Sequence, residues 1–184
     1  MAPIAVIANG WHRDANIQIS PNMDDRPAGE AIDLLVIHAI SLPPAQFGGS
    51  HVRDFFQNRL RIDEHDYFKK IATLRVSSHF FIPRSGDLIQ FVSTDKRAWH
   101  CGESEFQGRT KCNDFSIGVE LEGCDTAAFT EQQYTCLAAL TSAICEYYPR
   151  ITHERITGHV EIAPGRKTDP GPHFDWQRYK KLIN

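Results

Sequence analysis

Apolar and polar positions along the chain follow two different periods, which predicts a mixture of strands and helices. Residues 34–37 are continuously apolar and end at His38, the pattern of a central strand buried on both faces. Residues 116–121 alternate between apolar and polar side chains, which predicts a half-buried strand with Glu120 on its polar face. His38 is therefore expected at the exit of one strand and Glu120 away from the apolar side of another.

Apolar residues recur at helical spacing in three segments, 52–60, 134–148 and 176–183. Thr130 and Gln133 have the spacing of a capping box just before the second segment, which predicts the longest helix there. These segments supply the helical layer of the fold.

Two further strand signals complete the pattern. Residues 79–82 and 88–92 flank a Gly-containing turn and predict a hairpin, and residues 156–160 predict a short strand followed by a Pro/Gly-rich loop over 161–172. Strands interleaved with helices favour an α/β fold with a central mixed β-sheet flanked by helices.

The whole chain, residues 1–184, is predicted to form a single domain. A chain of this length buries roughly 70% of the surface that its unfolded form exposes, so one core is sufficient. Residues 1–32 are rich in Pro, Asn, Asp and Arg without a clear period, which indicates an irregular segment that is either wrapped around the rest or partly mobile. The core of the domain is therefore placed at about residues 33–183.

Composition narrows the classes of partner and compartment. The 20 Lys and Arg residues nearly balance the 23 Asp and Glu residues, so no basic face is expected for nucleic acid or a membrane surface. The apolar stretch at residues 4–8 is too short for a signal peptide, and no run approaches the roughly 20 residues of a membrane span. The five cysteines show no CxxC spacing, which fits structural thiols in a reducing compartment and predicts a cytoplasmic protein.

Candidate metal ligands stand out among the nine histidines. His38 and His159 both lie at predicted strand ends, and the Pro/Gly-rich loop after His159 can bring Asp169 back beside it. Two imidazoles and one carboxylate leave the fourth position of a tetrahedral zinc ion for water, as in catalytic sites. Non-haem iron uses the same ligand types in a different order, and a cysteine-containing set such as His100 with Cys101 lacks a second nearby pair. Zinc is the favoured ion.

Five sequence blocks give the chain a clear resemblance to a known family. HAISLPPAQFGGS, RVSSHFFIPRSGDLIQFV, DKRAWHCGES, CNDFSIGVELEG and TGHVEIAPGRKTDPGP occur in this order within residues 34–176. Together they resemble the zinc-dependent N-acetylmuramoyl-L-alanine amidases of the type 2 and peptidoglycan recognition protein family, and most of all the cytosolic branch that acts on 1,6-anhydromuropeptides in peptidoglycan recycling. The family also contains lytic enzymes that attack intact wall and modules that only bind peptidoglycan.

The resemblance implies one Zn²⁺ per chain, held by His38, His159 and Asp169, with Glu120 and Lys167 as catalytic residues. Glu120 would take a proton from the attacking water and pass it to the leaving amine. Lys167 precedes Asp169 by two residues, so in an extended segment both side chains share a face and the ammonium group can stabilise the oxyanion. The reaction implied is hydrolysis of the amide that joins the muramic acid lactyl group to L-alanine.

The implied substrate is a small muropeptide, a sugar joined to an anionic peptide, and no obligate protein partner is evident. Arg75 and Lys111 are candidate partners for peptide carboxylates, and Trp99 offers a flat face for a sugar ring. Two positions depart from the family pattern, because Ala39 stands where Asn is common and Lys111 where Arg is common. Both changes bear on substrate affinity rather than on the metal ligands.

Overall fold

The computed structural model describes residues 7–184. Its strands are β1 (Ile7–Ala8), β2 (Trp11–His12), β3 (Asn16–Ile17), β4 (Met23–Asp25), β5 (Leu34–Ile40), β6 (Phe80–Ile82), β7 (Ile89–Gln90), β8 (Lys96–Ala98), β9 (Glu105–Phe106), β10 (Arg109–Thr110), β11 (Ser116–Glu122) and β12 (Ile156–Gly158). Its α-helices are α1 (His51–Phe56), α2 (Asp66–Ile71), α3 (Glu131–Tyr147), α4 (His159–Ile162) and α5 (Trp176–Ile183), and short 3₁₀ turns cover Cys112–Asp114 and His153–Arg155.

A six-stranded mixed sheet in the order β12-β5-β11-β6-β7-β3 forms the centre of the protein. β12, β5, β11 and β6 are mutually parallel, whereas β7 returns antiparallel to β6 in the predicted hairpin. The predicted α/β fold with a central mixed sheet is confirmed. β5 and β11, the two longest strands, lie side by side in the middle, where both of their faces are covered.

The prediction that β11 is half-buried is wrong, because every residue from Ser116 to Glu122 is buried. Its apolar face packs beneath α3 in the main core. The other face, which carries Gly118 and Glu120, lies against the His79 and His100 rings and the candidate site instead of bulk water. Polar alternation therefore marks a functional face here, not a solvent-exposed one.

The sequence signals that predicted the starts of two helices are confirmed. Thr130 and Gln133 form the complete capping box at the start of α3, and the Asp175 carboxylate accepts a hydrogen bond from the Arg178 amide at the start of α5. The predicted strand over 156–160 ends early, however, because β12 stops at Gly158 and His159 begins α4. His159 is thus the first residue after a strand, and His38 lies inside β5 rather than beyond its end.

A second apolar cluster covers the face of the sheet that carries the site. α1 contributes Val52, Phe55 and Phe56, and α2 contributes Phe68 and Ile71. The helix α2 was not predicted because its six residues are too few to show a helical period. These two helices form one wall of the cavity described below.

The amino-terminal segment is less irregular than predicted. Residues 1–6 lie outside the described part of the chain, but four short strands follow, and β3 pairs with β7 at the edge of the main sheet. Arg26 then anchors the segment, since its guanidinium donates hydrogen bonds to the backbone carbonyls of Thr94, Asn113, Asp114 and Ser116. Within residues 7–184, the structure contains no helix of the length and apolarity that crossing a bilayer requires.

Candidate metal centre and active site

Three donor atoms converge at the carboxyl end of the parallel strands. His38 Nδ1 lies 2.9 Å from His159 Nδ1 and 3.1 Å from Asp169 Oδ2, and His159 Nδ1 lies 3.0 Å from the same carboxylate oxygen. Ligands of a tetrahedral zinc ion are separated by roughly 3.3 Å, given metal–ligand distances of about 2.0–2.1 Å. The three atoms therefore need to move apart by only a few tenths of an ångström to hold zinc.

The sheet and one loop bring these residues together. Gly158 is paired with Ile37 across β12 and β5, so His159 and His38, the next residues along, project from neighbouring strands. Asp169 returns to this point because its carbonyl accepts a hydrogen bond of 2.9 Å from the Val160 amide. A Cβ at Gly158 would meet Pro170 at 2.7 Å, so glycine permits this close approach of the loop.

Hydrogen bonds behind the ligands set which imidazole nitrogen faces the centre. His159 Nε2 donates to the Cys101 carbonyl at 3.0 Å, which leaves the Nδ1 lone pair directed at Asp169 and His38. His38 Nε2 lies 2.9 Å from His100 Nδ1, so a proton on Nε2 likewise leaves His38 Nδ1 free as a ligand. Both rings are therefore oriented for metal binding by groups that do not themselves join this ligand set.

His100 is the contact that sequence analysis did not assign to the site. Its ring lies against Gly118 of β11, where a Cβ would meet His100 Nδ1 at 2.5 Å. The His79 ring packs edge-on against His100, with 5.6 Å between centroids, and His79 Nδ1 accepts a hydrogen bond from the Gly118 amide. The signal available in the sequence was the block DKRAWHCGES, which contains His100.

Electrostatics favour the protonation states that a metal requires. Burial lowers the pKa of His38 to about 4, with a partial opposing effect from its hydrogen bond to Asp169, so its imidazole is neutral at pH 7. Burial alone would raise the pKa of Asp169, but its hydrogen bonds with His159 and His38 hold it below the usual range. A neutral imidazole and an ionised carboxylate are the forms that coordinate zinc.

Glu120 lies next to the ligands, because it is paired with His38 across β11 and β5. Its side chain is buried, and its Oε2 atom has no hydrogen-bond partner among residues 7–184. Burial raises the pKa of Glu120 well above its ordinary value, the negative charge of Asp169 raises it further, and Lys167 opposes both effects. An unpaired carboxylate with a raised pKa has the properties of a general base.

Lys167 lies on the cavity wall together with Glu120 and Asp169. The Lys167 amide donates to the Ala163 carbonyl at the end of the turn that follows α4, and residues 167 and 168 lie outside any helix, strand or turn. The turn brings the ammonium group close enough to lower the pKa values of both Glu120 and His38. A cation thus lies near the place where negative charge would develop in an acyl-transfer reaction.

A cavity of about 610 Å³ opens over the ligands and reaches across to α1 and α2. Trp99 lines it, with its indole nitrogen donating to Asp24 at 3.2 Å, and Ala39 lines it next to His38. Arg75 does not line this cavity. It lies exposed in the loop after α2, where its guanidinium donates to the Ala72 and Leu74 carbonyls. Lys111 is also exposed and away from the cavity, in the left-handed backbone conformation that precedes a 3₁₀ turn. Five of the eight predicted site residues therefore lie at or beside the candidate metal centre. Trp99 lines the cavity wall, and Arg75 and Lys111 lie outside the cavity.

Comparisons with known proteins agree with this architecture. The family described as N-acetylmuramoyl-L-alanine amidase matches residues 28–172. The chain is 52% identical over 183 residues to the 1,6-anhydro-N-acetylmuramyl-L-alanine amidase AmpD of Haemophilus influenzae, with 100% of both chains covered. Among solved structures, a selenomethionine derivative of AmpD superposes with a TM-score of 0.94 at 51% identity, covering 97% of this chain and 99% of that one. The Escherichia coli amidase AmiD, solved in complex with anhydro-N-acetylmuramic acid-L-Ala-D-γ-Glu-L-Lys, gives a TM-score of 0.62 at 30% identity, covering 85% of this chain and 60% of that one.

Proposed function

Because the chain belongs to the N-acetylmuramoyl-L-alanine amidase family, we propose that it is a zinc enzyme acting on 1,6-anhydro-N-acetylmuramyl peptides. The bond cleaved is the amide between the lactyl group of the sugar and L-alanine of the stem peptide. The observation that carries the proposal is the convergence of His38, His159 and Asp169 beside the unpaired, buried carboxylate of Glu120. The names of the AmpD relatives and the ligand of the AmiD complex support the choice of substrate.

The donor set fits zinc in number, type and spacing. Two imidazoles and one carboxylate leave a fourth position open, which distinguishes a catalytic zinc site from a structural one. Zinc held there supplies a Lewis acid for the amide carbonyl and lowers the pKa of a coordinated water to about 7. The cavity of about 610 Å³ provides space for a sugar and part of a peptide beside this position.

Glu120 is the residue placed to move the proton. Its Oε2 atom can accept a proton from the attacking water, whose oxygen bonds to the carbonyl carbon. The same carboxyl group then gives that proton to the alanine nitrogen as the carbon–nitrogen bond breaks. The products are the lactyl carboxylic acid of the sugar and a peptide with a free amino terminus, so the reaction consumes one water and no other reactant.

Lys167 stabilises the negative charge that develops in the transition state and does not transfer a proton. Its side chain lines the cavity with Glu120 and Asp169, and its positive charge lowers the pKa values of Glu120 and His38. In the tetrahedral transition state the carbonyl oxygen becomes negative, and a fixed cation beside it stabilises that state more than the neutral substrate.

The proposal includes a cytoplasmic role in peptidoglycan recycling with no obligate partner protein. Supporting it are the five free cysteines, which suit a reducing compartment, and the similarity to AmpD over the full chain.

Product analysis by mass spectrometry tests the function. The purified protein, with and without a zinc chelator, is incubated with an anhydromuramyl peptide and in parallel with intact peptidoglycan, and Glu120→Gln serves as the matched inactive control. Cleavage between the lactyl group and alanine, lost on chelation and confined to the anhydro substrate, is the expected result. Cleavage of intact wall indicates a lytic amidase instead, and no cleavage by folded, zinc-loaded protein indicates a binding module.

A further inference from the structure

A second cluster of metal-ligating side chains lies directly behind the first. His38 Nε2 is 2.9 Å from His100 Nδ1, which is in turn 3.2 Å from the sulfur of Cys101. The ligand atoms of these three residues all lie within 4.8 Å of one another, and all three residues are buried. His38 thus belongs to two ligand sets, with Nδ1 directed at the first and Nε2 at the second.

We propose that His38, His100 and Cys101 form a second metal site, which binds the thiophilic monovalent ion Cu⁺ in competition with zinc at the first site. The proposal goes beyond the amidase function, because it concerns which ions the protein retains, and its competition with zinc rests on the zinc site proposed above.

The donor chemistry favours copper. Thiolate is a soft ligand that selects Cu⁺ over harder cations, and one cysteine with two histidines is a set that binds copper in trigonal protein sites. The first site contains two histidines and a carboxylate, which suits zinc. Because zinc also binds cysteine and histidine, ligand type alone does not separate the two ions, and the charge of the second site decides between them.

Charge favours a monovalent ion in the second site. Cys101 and His38 have no measurable exposure to solvent, so a net charge placed among them is poorly hydrated. Cu⁺ with one thiolate and two neutral imidazoles has no net charge, whereas a divalent ion leaves one positive charge. That charge would also lie close to the buried guanidinium of Arg26, one of whose nitrogens is 3.1 Å from His79, the ring packed against His100.

The two ions compete because a neutral imidazole has only one unprotonated ring nitrogen that can bind a metal. With zinc on His38 Nδ1, the proton is on Nε2 and His100 Nδ1 accepts it. With Cu⁺ on Nε2, the proton moves to Nδ1, where Asp169 Oδ2 accepts it at 3.1 Å. The thiol proton of Cys101 is released to solvent, and no oxidation or reduction occurs. Each ion therefore fixes the His38 tautomer that excludes the other.

Anaerobic titration with Cu⁺ tests this inference. The zinc-loaded full chain is titrated with Cu⁺ buffered by a competing chelator, and three quantities are measured: copper retained per chain, zinc released, and sulfur and imidazole scattering around copper by X-ray absorption. The wild-type chain should retain one copper with mixed sulfur and imidazole ligation and release its zinc. Cys101→Ala and the smaller change Cys101→Ser should bind that copper at least about tenfold more weakly and keep their zinc.

Cys112→Ala is the matched control, because Cys112 is an equally buried thiol in the same apolar cluster but outside the ligand set. It should behave as the wild type does, and the three remaining cysteines are common to every variant. Equal copper retention by Cys101→Ala and wild type overturns the proposal, as does copper binding that leaves zinc in place. Zinc content before titration is measured separately, so a failure of the amidase proposal is distinguishable from a failure of this one.

Discussion

His38 and Glu120 are paired positions on neighbouring parallel strands, β5 and β11, and Glu120 lines the cavity together with His159 and Asp169, the two residues that His38 contacts. Paired residues on adjacent strands share a face of the sheet, so the strand register itself sets the spacing between a metal ligand and the proposed base. A one-residue slip of β11 would place Glu120 on the core side under α3. The hydrophobic alternation of β11 thus positions the catalytic carboxylate.

Glu120→Gln should lower kcat by about 10²–10⁴-fold, because glutamine has the same shape but accepts no proton. The zinc content and thermal midpoint of the variant should match those of the wild type, since Oε2 makes no hydrogen bond that the substitution removes. Steady-state kinetics on the anhydromuramyl peptide measure the effect. A variant that keeps wild-type turnover would exclude Glu120 as the base.

The pH profile should report the raised pKa of Glu120. The base works only when ionised, so kcat/KM should fall as the pH falls through that pKa, and burial places this limb above the range of an ordinary glutamate. Lys167 lowers the pKa of Glu120, so Lys167→Ala should move the limb to higher pH. Lys167→Arg keeps the charge and should leave the limb near its original position. A limb that stays in place or moves to lower pH in Lys167→Ala would contradict this assignment.

Lys167→Ala should also lower kcat more than it raises KM. A cation that faces the oxyanion interacts most strongly with charge that exists only in the transition state. Both parameters are measured at the pH optimum of each variant, which removes the effect of the shifted limb. An increase in KM with unchanged kcat would instead make Lys167 a residue that anchors the substrate.

His100 should act as a positioning residue for His38. Replacing it with alanine removes the acceptor for the His38 Nε2 proton, and loss of such a partner lowers metal affinity by about 10–100-fold. Competition with a zinc chelator measures this affinity, and activity at saturating zinc should recover most of the loss. Unchanged zinc affinity would show that His100 does not set the tautomer of His38.

Gly118→Ala should weaken zinc binding through the same ring. The added Cβ would lie 2.5 Å from His100 Nδ1, so the imidazole has to shift away from β11 and from His38. A double-mutant cycle isolates the cause, since in the His100→Ala background the ring is absent and Gly118→Ala should have little further effect. Full additivity of the two changes would argue that Gly118 acts on the strand and not through His100.

Much of the site was accessible from the sequence because its signals are local. The apolar run that ends at His38, the alternation around Glu120 and the Pro/Gly-rich loop before Asp169 each lie within a few residues. The partners of these residues could not be predicted from the sequence. His100 is 62 positions from His38, and its ring fits there only because Gly118 has no side chain. The burial of the polar face of β11 was missed for the same reason, since long-range packing decides it, whereas α2 was missed because six residues are too few to show a helical period.

The three predicted substrate contacts differ in their position relative to the cavity. Trp99 lines the cavity, whereas Arg75 and Lys111 are exposed outside it. Trp99→Ala should therefore raise KM for the anhydromuramyl peptide by about tenfold or more, because burial of a large apolar side chain contributes about 1.5–3 kcal/mol. Arg75→Ala and Lys111→Ala should each change KM by less than about threefold unless the peptide reaches beyond the cavity, since an exposed ion pair contributes little.

Repeating the series with substrates of increasing peptide length locates the end of the binding site. A large effect of Arg75 or Lys111 that appears only with the longer peptides would place that residue at the distal end, and a large effect with the shortest would mean that its loop moves onto the cavity when substrate binds.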